Sequence, residues 1–357
     1  MRNALVCFVS AVFLLAGGSA WIALYPSVPA DLGGVEDLDA RATREWIPVG
    51  DDDHLDGWYL RGSRPATVIL FAGYARDHRR MWRYAQFLWR DGYNVLAVDF
   101  RSARMLDRKP TTLGYWELRD ARAALDWVRT RPGSSGQPVA FVGESLGGSV
   151  ALALAAERPD VSAVVADCPF ASGDAAIADG FRYVIHVPPD PLAWITRELG
   201  KLVTGHDPGE LDATAALRSL KNRPVLLIQT RLEDRFSRDE VQRLSTAAGP
   251  RAETWTVDDA KHTGVWVAHR DEYEQRVGRF LASRLGGDVV AERTAPGLAE
   301  RAAHGATAAG HAVVEGAKAG GDAVVQGAKA GGHAVVHGAK VLGHTVAKPF
   351  EKKKRES

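Results

Sequence analysis

The stretch Gly-Glu-Ser-Leu-Gly at residues 143–147 decides the fold class of this 357-residue chain. It follows a short apolar run, residues 138–142, whose length and β-branched content are typical of a buried strand. It precedes a small-residue stretch, residues 148–158, with a helical pattern. A G-x-S-x-G motif in that context predicts a sharp strand-to-helix turn that exposes the hydroxyl of Ser145. The flanking glycines leave room for the strained backbone of such a turn.

Apolar runs and helical patterns alternate on both sides of this motif. Strand-like runs lie at residues 43–49, 54–60, 67–71, 93–100, 161–166, 225–229 and 253–257. Helical spacing lies at residues 79–89, 115–131, 240–248 and 273–285. This alternation predicts an α/β fold with a mostly parallel central sheet and helices on both faces. Residues 171–220 interrupt it, and we interpret them as a lid over the carboxyl ends of the strands.

Composition and charge narrow the classes of function. Hydrophobic residues make up 46% and charged residues 25% of the chain, as in ordinary globular proteins. The formal net charge of +1 gives no electrostatic support for nucleic-acid binding. Two cysteines, Cys7 and Cys168, are far apart, and no metal-ligand spacing is present. We therefore predict no nucleic-acid partner, no metal and no cofactor.

The N-terminal segment predicts contact with a membrane. Residues 3–30 contain no charged side chain, and a run of this length can cross a hydrocarbon core about 30 Å thick. Its length and the aromatic residues Trp21 and Tyr25 favour an uncleaved signal anchor. Cleavage of a signal peptide after Gly-Ser-Ala at residues 18–20 is the alternative, and it predicts a secreted protein. Arg2 before the run and acidic residues after it place the catalytic domain outside the cytoplasm.

The C-terminal segment differs in amino-acid composition from the rest of the chain. We divide the chain into an anchor or signal peptide (1–30), an α/β domain (31–286, with the lid at about 171–220) and a tail (287–357). The tail repeats an 11-residue unit rich in alanine, glycine, valine and histidine. Eleven residues fit three helical turns, which suits a weakly amphipathic helix on a membrane or protein partner. The many glycines equally suit an unstructured tail.

A nucleophilic serine of this kind needs an acid and a histidine later in the chain. The strand at residues 225–229 is followed by Glu233 and Asp234, and the strand at residues 253–257 is followed by His262. A surface-loop histidine is the alternative interpretation of His262, but its place after a strand and in the required order favours catalysis.

These features together resemble the α/β-hydrolase family, in particular bacterial serine hydrolases of the esterase/acylhydrolase and serine-aminopeptidase-like group. The resemblance covers about residues 44–285 and is carried by residues 111–115, 143–148, 167–172 and 262–266. It implies that Ser145 is the nucleophile and His262 the base. It also implies an oxyanion hole formed by the backbone N–H groups of Leu146 and Tyr74.

Three positions depart from the family pattern. The oxyanion loop has Ala72 before Gly73 where the family usually has His-Gly, which preserves a backbone donor. The loop at residues 101–104 reads Arg-Ser-Ala-Arg in place of a glycine-containing turn. The acid is open, because a gapless count from the strand favours Glu233, whereas residue type favours Asp234. We give a slight preference to Asp234.

The sequence as a whole predicts a serine hydrolase of the carboxylesterase or acylhydrolase type. Its substrate would be a small acyl ester, thioester or amide, cleaved through an acyl-enzyme intermediate. The alternative is a catalytically silent α/β-hydrolase scaffold that acts as a membrane-associated binding module, because two of the loops near the site are altered.

Overall fold

An eight-stranded sheet forms the centre of the protein, in the spatial order β1-β2-β4-β3-β5-β6-β7-β8. The computed structural model describes residues 16–28, 41–50, 52–104, 109–220 and 223–286. β1 and β2 run antiparallel to their neighbours, and the other strands are parallel. The strands are β1 (Thr43–Pro48), β2 (His54–Leu60), β3 (Thr67–Phe71), β4 (Asn94–Asp99), β5 (Val139–Glu144), β6 (Val161–Asp167), β7 (Val225–Thr230) and β8 (Glu253–Val257).

Helices cover both faces of the sheet. α2 and α10 pack in one apolar layer on one face of the sheet. α3, α4, α7 and α8 pack in a second apolar layer on the opposite face. Every residue of β3, β4 and β5 is buried, which explains why their sequences read as continuous apolar runs. The helices are α1 (the described residues 16–24), α2 (His78–Arg90), α3 (Tyr115–Thr130), α4 (Leu146–Glu157), α5 (Gly173–Asp179), α6 (Leu192–Thr204), α7 (Ala213–Ser219), α8 (Arg238–Ala248), α9 (Val265–Ala268) and α10 (Arg270–Leu285).

An excursion between β6 and β7 corresponds to the predicted lid. Its base is closed by a β-bridge between Ser172 and Asp212. We call residues 173–211 the cap; it contains α5, a π-helical turn (Gly180–Ile185) and α6. The last part of the predicted lid is α7, whose Leu217 lies in the same apolar layer as α4. That helix therefore belongs to the layer that covers the sheet.

The predicted terminal segments fall largely outside the described residues. Among the residues that the structure describes, no helix has both the length and the apolar character needed to cross a membrane. The described part of the predicted anchor (1–30) is residues 16–28, which include α1. The repeat tail (287–357) and Cys7 lie outside the described residues.

Candidate active site

Ser145 sits on a strained turn between β5 and α4. Its backbone has φ 53° and ψ −116°, and its N–H donates to the carbonyl of Asp167 at 2.8 Å. A Cβ on Gly143 would lie 2.2 Å from the carbonyl oxygen of Gly147. A Cβ on Gly147 would lie 2.1 Å from the carbonyl oxygen of Phe71. Both positions therefore exclude any side chain, which accounts for the glycines of the motif.

Three side chains meet at the carboxyl edge of the sheet. Ser145 Oγ lies 3.0 Å from His262 Nε2, and His262 Nδ1 lies 3.0 Å from Glu233 Oε2. They come from the turn after β5 and from the loops after β8 and β7. Because the carboxylate accepts a hydrogen bond from Nδ1–H, the unprotonated Nε2 is left to accept a hydrogen bond from the serine hydroxyl. The side chains of His262 and Glu233 are 13% and 5% exposed, so water competes little for this contact.

Glu233, and not Asp234, lies against His262. The Asp234 side chain is 41% exposed and forms an ion pair with Lys261 at 3.5 Å. Glu233 is held in place by the N–H of Arg235 at 2.9 Å and the hydroxyl of Thr230 at 3.5 Å. The slight preference for Asp234 is therefore corrected: Glu233, the residue that the gapless count favoured, is the carboxylate in contact with His262.

Leu146 and Tyr74 belong to the two segments that border Ser145. Leu146 is the first residue of α4, and the N-terminal amides of a helix carry partial positive charge. On the other side, a Cβ on Gly73 would lie 3.3 Å from the Cβ of Ser145. Tyr74 follows Gly73 directly, so its peptide belongs to the loop that abuts the nucleophile. This arrangement suits the oxyanion hole that the resemblance implies.

Two arginines tie the nucleophile strand to the histidine loop. Arg80 Nε donates to Glu144 Oε1 at 3.2 Å, and Arg83 Nη2 donates to Glu144 Oε2 at 2.5 Å. Both also reach Thr263, the residue after His262: Arg80 donates to its hydroxyl at 3.4 Å and Arg83 to its carbonyl at 3.3 Å. Thr263 has φ 52°, an uncommon conformation for a β-branched residue. The ion-paired cluster thus anchors a strained peptide beside His262.

This cluster of paired charges, centred on the buried Glu144, was not predicted from the sequence. Burial raises the pKa of Glu144, but Arg80 and Arg83 outweigh burial and lower that pKa to about 2. Burial and the charge of Glu144 raise the pKa of the neighbouring Asp167. The hydroxyls of Tyr84 and Tyr273 each donate to Asp167 at 3.1 Å. Glu144 is an acidic residue at the end of a buried strand, and a buried charge needs a partner of opposite charge. This position in the sequence could have predicted the arginines.

Replacing Glu144 with glutamine is expected to flatten the acid limb of the stability profile. The folded pKa of about 2 lies below the ordinary 4.5, so the ion pairs stabilise the protein above about pH 4.5. That stabilisation is lost as the pH falls through about 2. At pH 7 the change leaves Arg80 and Arg83 without their carboxylate, which should cost about 3–5 kcal/mol.

Urea unfolding at pH 7 and pH 3.5 measures both effects. Glu157→Gln is the control, because Glu157 forms an ion pair with Arg122 that is about four-tenths exposed on both sides. The control should change the free energy of unfolding by less than about 1 kcal/mol. A Glu144→Gln variant that loses as much stability on acidification as the wild type would contradict the assignment.

The loop at residues 101–104, which lacks the glycines of the family pattern, forms several ion pairs. Arg101 contacts Asp120 at 2.7 Å and Asp53 at 3.2 Å, and Arg104 contacts Asp53 at 2.8 Å. Burial raises the pKa of Asp120 to about 6 in spite of Arg101. These contacts fix the loop after β4, so the loss of the family glycines is compensated locally by charge.

A metal ion fits poorly at this site. Within the part of the chain that the structure describes, Cys168, Glu233 and His262 form the set whose ligand atoms lie within 4.8 Å of one another. Burial raises the pKa of the Cys168 thiol well above its usual range, which disfavours the thiolate that binds metals. Its sulfur accepts the N–H of Thr263 at 3.4 Å, and the ring nitrogens of His262 already face Ser145 and Glu233.

Comparisons with known proteins identify the family and the fold. The sequence profile of the X-Pro dipeptidyl-peptidase family (S15) matches residues 60–270. The uncharacterized protein YqkD of Bacillus subtilis is 27% identical over 239 residues, which are 66% of this chain and 77% of that protein. The uncharacterized protein Rv2307c of Mycobacterium tuberculosis is 35% identical over 130 residues, 35% of this chain and 45% of the relative.

Solved structures give the same fold. The Pyrococcus furiosus esterase Pf2001 is similar with a TM-score of 0.62 and 27% identity, covering 74% of this chain and 99% of that chain. Est1E of Butyrivibrio proteoclasticus, solved with ferulic acid, shares the fold with a TM-score of 0.54 and 14% identity, covering 68% of this chain and 100% of that chain.

The fold and the serine turn define an α/β-hydrolase, which confirms the resemblance found in the sequence. Within this class the chain belongs to the X-Pro dipeptidyl-peptidase (S15) family, whose profile covers more than half of its length. It is accordingly a hydrolase of the serine type.

Proposed function

We propose that the protein is a carboxylesterase that acts through Ser145, His262 and Glu233. The observation that carries this proposal is the continuous hydrogen-bonded chain from the serine hydroxyl through the imidazole to a buried carboxylate. Such a chain is what a serine needs to become a nucleophile. It also disfavours the alternative of a catalytically silent scaffold, because binding alone does not require a hydrogen bond between serine and imidazole.

In the proposed mechanism, Ser145 Oγ attacks the ester carbonyl while His262 Nε2 takes the hydroxyl proton. Glu233 accepts the hydrogen bond from Nδ1–H and stabilises the imidazolium. The backbone N–H groups of Leu146 and Tyr74 stabilise the negative charge on the carbonyl oxygen. His262 then returns the proton to the departing alcohol, and the acyl group stays on Ser145. Water, activated by His262, releases the acid and restores the serine.

The ester and the peptide bond are the two substrate classes with support. The similar Pyrococcus furiosus protein is described as an esterase, and the family is described by its X-Pro dipeptidyl-peptidases. The esterase resemblance extends over 74% of this chain and 99% of that protein, so we favour the ester.

A paired substrate assay tests the choice. The full chain is given p-nitrophenyl esters of increasing acyl length and, separately, an X-Pro p-nitroanilide. We expect ester turnover and fluorophosphonate labelling of the wild type, and neither in Ser145→Ala. Faster release from the X-Pro p-nitroanilide would reject the ester in favour of a peptidase. A wild type that is neither labelled nor active on either substrate would reject catalysis.

A further inference from the structure

α1 packs against the cap through small residues. Ala16, Ala20 and Leu24 are buried at intervals of four, which puts them on one face of α1. The facing side of α6 also has a four-residue spacing, formed by Thr196, Gly200 and Thr204. Small residues at this spacing let two helix backbones approach closely. The gap left between α1, α6 and residues 111–113 is about 20 Å³, which holds about one water.

The end of α1 is fixed to the loop that follows β3. The last carbonyls of a helix lack partners within the helix. Here the hydroxyl of Tyr74 donates to the carbonyl of Ala23 at 2.8 Å, and the N–H of Thr111 donates to the carbonyl of Leu24 at 2.8 Å. Tyr74 follows Gly73, which abuts Ser145. The end of α1 is therefore attached to the same loop that lies against Ser145.

The outer sides of α1 and α6 carry exposed apolar side chains. On α1, Trp21 is 64% and Ile22 is 60% exposed. On α6, Trp194 is 62%, Leu202 is 80% and Val203 is 55% exposed. We call these five residues the apolar cap face. Exposed large apolar groups on two helices that pack together are typical of an interaction surface, and tryptophan is enriched where proteins meet the membrane interface.

The sequence next to α1 decides which partner fits. Residues 3–30 carry no charge, so the chain that leads into the apolar cap face is itself apolar. A bilayer accommodates both the face and this sequence without a polar partner surface. Signal-peptide cleavage after Ala20 would remove the buried residues Ala16 and Ala20 from α1, which favours retention of the segment.

We propose that α1 and α6 form a bilayer-docking surface and that the substrate is a membrane-borne acyl ester. The substrate class rests on the proposed function; the docking rests on the apolar cap face alone. In this arrangement the acyl chain leaves the bilayer beside α1 and reaches Ser145 past the loop that holds Tyr74.

Lipid quenching of tryptophan fluorescence tests the docking. The full chain is reconstituted in phosphatidylcholine vesicles with and without brominated acyl chains, as wild type, Trp194→Phe and Trp46→Phe. Trp46 is the matched control, because it is 63% exposed and lies on β1. We expect the fluorescence intensity lost to quenching to fall when Trp194 is removed and to stay constant when Trp46 is removed. Equal behaviour of the two variants would overturn the proposal.

An activity comparison tests the substrate class separately. Leu202→Lys should lower hydrolysis of a long-chain ester in vesicles at least about 10-fold, since a charged side chain replaces one that the bilayer would bury. Hydrolysis of a water-soluble butyrate ester should be unchanged, as it should be in the control Trp46→Lys. Equal loss on both esters would overturn the proposal.

Two further outcomes separate the claims. A wild type that hydrolyses neither ester yet shows quenching of Trp194 would reject the proposed function and the ester substrate, and would leave docking supported. A wild type that hydrolyses both esters yet shows no quenching of Trp194 would keep the proposed function and overturn docking.

Discussion

Ser145→Ala is expected to lower kcat for ester hydrolysis by about 10³- to 10⁶-fold, the range seen when a nucleophile of this kind is removed. The change deletes the one oxygen that lies 3.0 Å from His262 Nε2. The fold should survive, because the turn is shaped by Gly143 and Gly147 and by the N–H of Ser145, all of which remain. Steady-state kinetics and thermal unfolding measure the two halves of this expectation.

The matched control for this experiment is Ser283→Ala. The hydroxyl of Ser283 donates to a carbonyl within α10 at 2.8 Å and has no contact with the site. It should leave kcat within about twofold of the wild type. The double variant Ser145→Ala with His262→Ala should be no slower than Ser145→Ala alone, because the two groups act as one unit. If purified Ser145→Ala kept a few per cent of the wild-type ester hydrolysis, a group other than Ser145 would be the nucleophile.

The sheet and the nucleophile could be read from the sequence because both depend on local patterns. β3 and β5 are buried on both faces, so every residue in them is apolar or small apart from their ends. The turn at Ser145 needs two glycines at fixed offsets, because backbone oxygens occupy the space of a side chain. Such constraints act within a few residues and leave a direct mark in the sequence.

The contacts that support the site could not be read in the same way. The contact between Arg83 and Thr263 joins residues 180 positions apart, and no spacing rule relates them. The docking of α1 depends on Tyr74, some fifty residues along the chain, which supplies a hydroxyl to the end of the helix. The limits of the cap depend on the bridge between Ser172 and Asp212, which forms only in the folded protein.

The choice of acid shows the same limit at the scale of one residue. Two adjacent carboxylates follow β7, and residue type alone favoured Asp234. The geometry is decided by the loop, in which the N–H of Arg235 and the hydroxyl of Thr230 hold Glu233 toward His262. A glutamate side chain is one methylene longer than an aspartate side chain, and here that length spans to Nδ1 at 3.0 Å.

Glu233→Gln should therefore lower kcat by about 10³- to 10⁴-fold, as when the acid of such a triad becomes an amide. An amide can donate to Nδ1, which places the imidazole proton on Nε2 and removes the base that Ser145 needs. Asp234→Asn removes an equal charge next door, from a side chain that is 41% exposed and paired with Lys261. It should change kcat less than about threefold, since exposed pairs contribute little.

The ranking of these two variants decides the assignment, because both remove one negative charge near His262. General electrostatic loss would slow them alike, whereas loss of the hydrogen bond at 3.0 Å slows only Glu233→Gln. The pH dependence of kcat/KM adds an independent measurement. Asp234→Asn should keep the wild-type profile, and a changed profile in Glu233→Gln alone would agree with loss of the hydrogen bond to His262. The reverse ranking would assign the role of acid to Asp234 and require the loop after β7 to rearrange in solution.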